Sequence, residues 1–166
     1  MRIILRYSLI CMALLAGLYL YFMYRSQDTV VNIILEKLGA RDNLALMDIW
    51  NAHYSIPQWC MYSLPEGLWV FAATLLSLRL VINIKQYQIK LKFLPFALTL
   101  LIELLQSLRI TNGQFDWIDV AVSLVFTAIA LAIPSKEKYK NAWGSKEFWL
   151  LMAVYCMVYL SDVWAW

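Results

Sequence analysis

The chain has 166 residues, 63% of them hydrophobic and 15% charged, with a formal net charge of +3 and only 5 Gly and 4 Pro. The apolar residues come in long blocks separated by short charged connections, which excludes a soluble core and gives one helical membrane domain over residues 1–166. So small a positive charge excludes a nucleic-acid partner and leaves the basic loops as topology signals beside anionic lipid.

The first block, "YSLICMALLAGLYLYFMY" (residues 7–24), is free of charge all round and long enough to cross roughly 30 Å of hydrocarbon. Arg2 and Arg6 precede it as in a signal peptide, but no small-x-small site closes it and the run is long for such a segment, so it is expected to stay as an anchor. Residues 25–63 form the long outer connection. In it, Thr29 or Asp28 can cap a helix whose Val30, Ile34 and Leu38 share a face and which Gly39 can end, so an amphipathic helix lying on the bilayer is expected between the first and second spans. Trp50, Trp59 and Tyr62 suit the headgroup level.

Four further spans are expected at 64–84, 93–108, 117–133 and 148–164, which makes the fold all-α and polytopic with five transmembrane helices. Pro65 should stand in the first turn of the second span, and Arg79 should snorkel from its inner end. The loop "SKEKYKNAWGSKE" is polar and expected to be solvated, and the tryptophans of "SDVWAW" read as an interfacial anchor. Ten of the 14 Lys and Arg fall on the inner side if the N-terminus is inside, against Arg25, Lys37, Arg41 and Arg109 outside. The expected location is therefore the cytoplasmic membrane of a bacterium, with the N-terminus inside and the C-terminus outside.

Polar residues interrupt the third and fourth spans at one level. Glu103, Gln106 and Arg109 are spaced by three, so they line the outer half of the third span; Asn112-Gly113 turns the chain, and Asp116 and Asp119 open the fourth span. Glu66 joins them from "SLPEGLW" in the second span. Burying a charge within a membrane costs at least about 2.5 kcal/mol, so Glu103 is expected to face a partner, water or a ligand. Two accounts of Glu66, Glu103, Gln106, Arg109, Asp116 and Asp119 stand side by side. They form a ligand pocket, with Arg109 close to both aspartates, or they form an interhelical network that fixes packing, with Asp116 as a helix cap and Arg109 as an interfacial anchor.

The single histidine, His53, lies in the outer segment and reads as an interfacial loop residue. Without a second histidine zinc catalysis is not expected, and Cys11, Cys60 and Cys156 lack metal-like spacing and read as packing residues. No metal and no cofactor are expected. Nucleotide-binding, metalloprotease and serine-hydrolase motifs are absent.

The combination of Glu103 and Gln106 as E-x-x-Q, then Arg109, Gly113 and Phe115-Asp116 with Asp119, resembles the VanZ-like membrane proteins, and "LPEGLW" (residues 64–69) resembles their earlier Leu-Pro-x-Gly element. The resemblance spans about residues 60–130. Where the family pattern continues with Asn and then Gly, this chain has Ser123 and Phe126. The resemblance implies a small polytopic envelope protein associated with teicoplanin-type glycopeptide resistance. The expected partner is a membrane lipid or a lipid-linked or amphipathic envelope molecule, held in an outer-leaflet pocket. Whether chemistry follows is open: an enzyme would use Glu103 or Asp119 as acid or base. The alternative is a noncatalytic subunit or scaffold of a larger membrane complex, with a membrane-protein partner.

Overall fold

A computed structural model of the chain describes residues 3–24, 57–111, 114–134 and 138–163. In order these are α1 (Ile3–Tyr24), α2 (Gln58–Ser77), β1 (Leu80–Ile84), β2 (Tyr87–Lys90), α3 (Leu94–Ser107), α4 (Trp117–Ala132), β3 (Lys140–Asn141) and α5 (Lys146–Val163), with 3-10 turns at Leu91–Phe93 and Ala142–Gly144. The protein is mostly helical, and each expected apolar block holds one α-helix. The amphipathic helix expected after Arg25, Trp50, His53, the Asn112-Gly113 turn, Trp164 and Trp166 lie outside the described residues.

The central helix is α2, which packs along α1 and α4 and also meets α3 and α5. Two glycines allow that closeness. A Cβ on Gly17 of α1 would stand 2.7 Å from the Trp69 indole nitrogen, and one on Gly67 of α2 would stand 2.6 Å from Val122 Cγ1 and 2.7 Å from Phe126 Cδ2. Any side chain there separates the helices, so small residues at these crossings set the spacing. Below the crossings, Ala72, Leu75 and Leu76 of α2 form a fully buried core with Leu80, Ala130, Ala142 and Leu151, and Phe71 meets Phe126 edge-on at 6.2 Å between centroids.

The second block departs from the span expected at 64–84. Its helix starts at Gln58, two turns earlier, so Pro65 lies inside the helix and not in its first turn. The helix ends at Ser77, and the apolar residues that follow turn into β1. Val81 and Ile82 are β-branched and Asn83 begins an alternation that Tyr87-Gln88-Ile89-Lys90 continues, a strand pattern that the uninterrupted apolar run conceals. β1 and β2 pair antiparallel from Val81 opposite Lys90 to Ile84 opposite Tyr87, and the two-residue connection holds Lys85 at φ 53°, in the left-handed region. β3 then joins β1 in parallel, giving a three-stranded sheet of order β2-β1-β3. Tyr87–Lys90 and Lys140–Asn141 therefore pair on opposite edges of β1, and both strands stay exposed.

Beside that apolar core, several polar side chains are buried and many apolar ones face outward. Arg6 is 1% exposed and Glu103 3%, and Ser63, Thr74, Ser77, Thr99, Ser123 and Thr127 are all buried. Ile4 is 79% exposed, and Met12, Leu15, Leu101, Leu104, Leu124, Val125, Ile129 and Leu150 also face outward. Cys11 and Cys156 are exposed as well, so they do not serve as packing residues. Among the described residues one helix, Ile3–Tyr21, is long and apolar enough to cross a membrane by length and composition, and Trp117–Ala132 is apolar but shorter.

Candidate functional site

α3 buries a narrow stripe, Pro95, Thr99 and Glu103, at the four-residue spacing of one helix face. Gln106, one turn beyond Glu103, continues it. On α2, Tyr62, Glu66, Trp69, Val70 and Ala73 recur at helical spacing and turn toward the same space. Tyr21 comes from α1 and Val154 and Tyr155 from α5. These residues, with Pro65 and Ile102, enclose a cavity of about 90 Å³. Tyr21 and Trp69 stack obliquely in its wall, with centroids 5.7 Å apart, and Gly17 leaves room for that indole.

The acids gather at this cavity. Glu66, Glu103 and Asp119 each bring a carboxylate oxygen within 4.8 Å of the other two. Glu103 is buried, and its Oε2 accepts the backbone N–H of Asp116 at 3.0 Å, which ties the end of α3 to the start of α4. Asp116 has a structural role. It is exposed, and its Oδ1 accepts the Ile118 N–H at 2.8 Å as the N-cap of α4. Gln106 lines the cavity, and its Oε1 is buried with no hydrogen-bond partner among the described residues.

Arg109 is the expected site residue that the structure moves away. It follows α3 at φ 56°, where its N–H donates to the Gln106 carbonyl at 2.9 Å and the Ile110 N–H donates to the Leu105 carbonyl at 2.9 Å. That pair of bonds is a Schellman closure, and the left-handed residue within it projects outward. Arg109 is exposed and makes no ion pair with Asp116 or Asp119 among the described residues. Three-residue spacing carried it onto the stripe only on paper, because the helix ends at Ser107. Glu66, Glu103, Gln106 and Asp119 come together; Asp116 stands at their edge as a cap.

The expectation of no metal site rested on one histidine and scattered cysteines. Carboxylate oxygens are a different donor set, hard ligands of the kind that divalent cations and ammonium groups take. Sequence reasoning also missed the aromatic walls. Tyr62 lies four residues before Glu66 and Trp69 three after it, and Thr99 lies four before Glu103, so their helical spacing was available as a signal; Tyr21 and Tyr155 had none.

A second polar centre lies at the other end of the bundle. The carboxylate of Glu147, buried in the first turn of α5 before the apolar run begins at Phe148, faces Arg6 at 3.6 Å, Arg79 at 4.0 Å and Lys140 at 3.1 Å. It also accepts the Ser145 hydroxyl at 2.7 Å and the Tyr7 hydroxyl at 3.2 Å. Burial alone pushes this carboxyl up, but the hydrogen bonds from Ser145, its own backbone N–H and Lys140, with the Lys140 charge, bring it down to about 2. Arg79 is therefore buried in an ion-paired cluster and does not snorkel.

No family model, no curated protein and no solved structure matches this chain.

Proposed function

We propose that this chain is a polytopic, VanZ-like envelope membrane protein whose polar cavity binds the head of a lipid-linked or amphipathic envelope molecule from the outer leaflet. The observation that carries it is a hollow lined by Glu66, Glu103 and Gln106 inside a bundle whose outward surface is apolar. Holding three carboxylates side by side, Glu103 buried and Glu66 and Asp119 half-buried, is costly, and packing alone is served better by apolar residues of similar volume.

Five spans are supported by the outward-facing apolar residues on the shorter helices, Leu101 and Leu104 on α3, Leu124 and Val125 on α4 and Leu150 on α5. The orientation rests on Lys and Arg asymmetry, and Arg6, Arg79 and Lys140 meeting around one carboxylate agrees with a common inner end. With that orientation, Tyr21 and Arg6, about 22 Å apart along α1 at roughly 1.5 Å per residue, support an outer-half position for the cavity. The VanZ-like resemblance adds the envelope setting and the link to glycopeptide resistance.

The test is native mass spectrometry of the purified full chain, wild type beside Glu103→Gln. A bound amphiphile retained by the wild type and lost from the folded variant is the expected result. Equal retention by both, or none by either, rejects the pocket. A reporter fused after Trp166 checks the orientation separately, and a cytoplasmic signal there overturns it.

A further inference from the structure

The lining of the cavity goes further and specifies the chemistry of its occupant, given the pocket function proposed above. The geometry points to a primary ammonium head, R–NH3⁺, seated among the Glu66, Glu103 and Asp119 carboxylates with its carbon chain against the aromatic wall.

Three features lead there. An ammonium has three N–H donors and no acceptor, and three acceptors each about 2.8 Å from its nitrogen at tetrahedral angles stand roughly 4.6 Å from one another. The three carboxylates offer oxygens within 4.8 Å of one another. Secondly, most of the remaining wall is aromatic and apolar: Tyr21, Trp69 and Tyr155, with Tyr62 at the exposed side, and Val70 and Ala73, beside the polar Thr99 and Gln106. Ring faces attract organic cations, and they supply no ligand to an inorganic one. Calcium and magnesium also take carboxylate oxygens and complete their shells with water, so the aromatic faces, and not the number of oxygens, favour the organic cation. Thirdly, a cavity of about 90 Å³ is smaller than the roughly 150 Å³ hollow that admits benzene. It takes an ammonium and the two or three carbons beside it, not a sugar ring or a peptide. Gln106 is positioned to accept a hydrogen bond from a polar group near the amine.

An amine of this size is offered either by an ethanolamine-type phospholipid head or by a free alkylamine, and the same nitrogen would be bound in both. In the lipid case the phosphate and acyl chains stay outside, beyond Tyr62.

The experiment uses the full chain in nanodiscs and reads retained lipid by native mass spectrometry. Phosphatidylethanolamine is set against N-acetyl-phosphatidylethanolamine of the same acyl chains, which has no cation, and against phosphatidylglycerol. Wild type is expected to prefer phosphatidylethanolamine at least tenfold over both, and Glu103→Gln to lose that preference. Asp119→Asn gives the same readout should Glu103→Gln fail to fold. Soluble ethanolamine, titrated calorimetrically, separates the sources: binding of ethanolamine with no preference among the lipids keeps the ammonium and assigns it to a free amine. Equal retention of the acetylated and free lipids, released by Glu103→Gln, overturns the ammonium while leaving the pocket. Retention that no variant changes overturns both. Binding that disappears with a chelator and returns with magnesium or calcium also overturns it, in favour of an inorganic cation.

Discussion

The two ends of the bundle hold buried carboxylates in opposite company. Glu147 sits among Arg6, Arg79 and Lys140, with hydroxyl donors from Ser145 and Tyr7 filling in. Glu103 sits beside Glu66 and Asp119, facing a cavity. The first arrangement stabilises itself, since opposite charges tie α1, the segment that follows α2 and the start of α5 together. The second, in the pocket reading proposed above, gains from something added. A buried acid is thus not a functional signal by itself; what distinguishes the two is the sign of the neighbours and the empty volume beside them.

The comparison breaks most visibly at the compensated end. Glu147→Ala leaves Arg6 and Arg79 as buried cations, and is expected to destabilise the protein by about 3–5 kcal/mol, measured as a fall in detergent melting temperature and in folded yield. Lys140 is 50% exposed, so Lys140→Ala should cost less than about 1 kcal/mol. Acid should reproduce part of the first effect. The folded Glu147 carboxyl lies at about 2 against an ordinary 4.5, and a depressed value means that folding favours the charged form. Its contribution is present above the ordinary value and is lost as pH falls from about 4.5 through about 2. A melting temperature flat across that window in wild type, or still falling in Glu147→Gln, contradicts this assignment.

Gly67→Ala comes next. A methyl at 2.6 Å from Val122 must push α4 away from α2, a cost of about 1–3 kcal/mol. Because Glu66 and Asp119 stand on the same two helices, amphiphile retention should fall as well; a stable variant with full retention shows that the α2–α4 spacing does not shape the cavity. Arg109→Gly has a smaller effect and the opposite sign. Glycine tolerates the left-handed conformation that arginine holds at φ 56°, so stability should rise by up to about 1 kcal/mol with ligand retention intact. Loss of retention there restores the charge of Arg109 to the site.

Glu103→Gln should move stability least and sharpens the contrast between the ends. The amide oxygen still accepts the Asp116 N–H, and a neutral group is cheaper to bury beside Asp119. An unchanged or higher melting temperature with the ligand lost is expected. A large drop in melting temperature makes Glu103 a packing residue, the counterpart of Glu147.

Several features were legible without a fold. The apolar blocks gave five helices because an unbroken run such as Leu9 to Ala16 can satisfy its own backbone hydrogen bonds within itself only as a helix. Helical spacing joined Glu103 to Gln106, and the N-terminal position of Asp119 on the next helix brought it near them. Spacing failed where its premise failed: Arg109 lies past the last helical turn, and the residues after Ser77 keep the hydrophobicity of a span while adopting the alternation of a hairpin.

Sequence by itself determined which residues are too apolar for water and which polar side chains interrupt them, since both follow from composition and from the fixed period of a helix. Only the tertiary structure decided which interruptions meet. Arg6 and Glu147 are 141 positions apart, and Tyr21 and Tyr155 reach one cavity from opposite ends of the chain. No local periodicity encodes such pairings. They are set by how closely Gly17 and Gly67 let neighbouring helices approach, a property of surfaces in contact that neither surface displays alone.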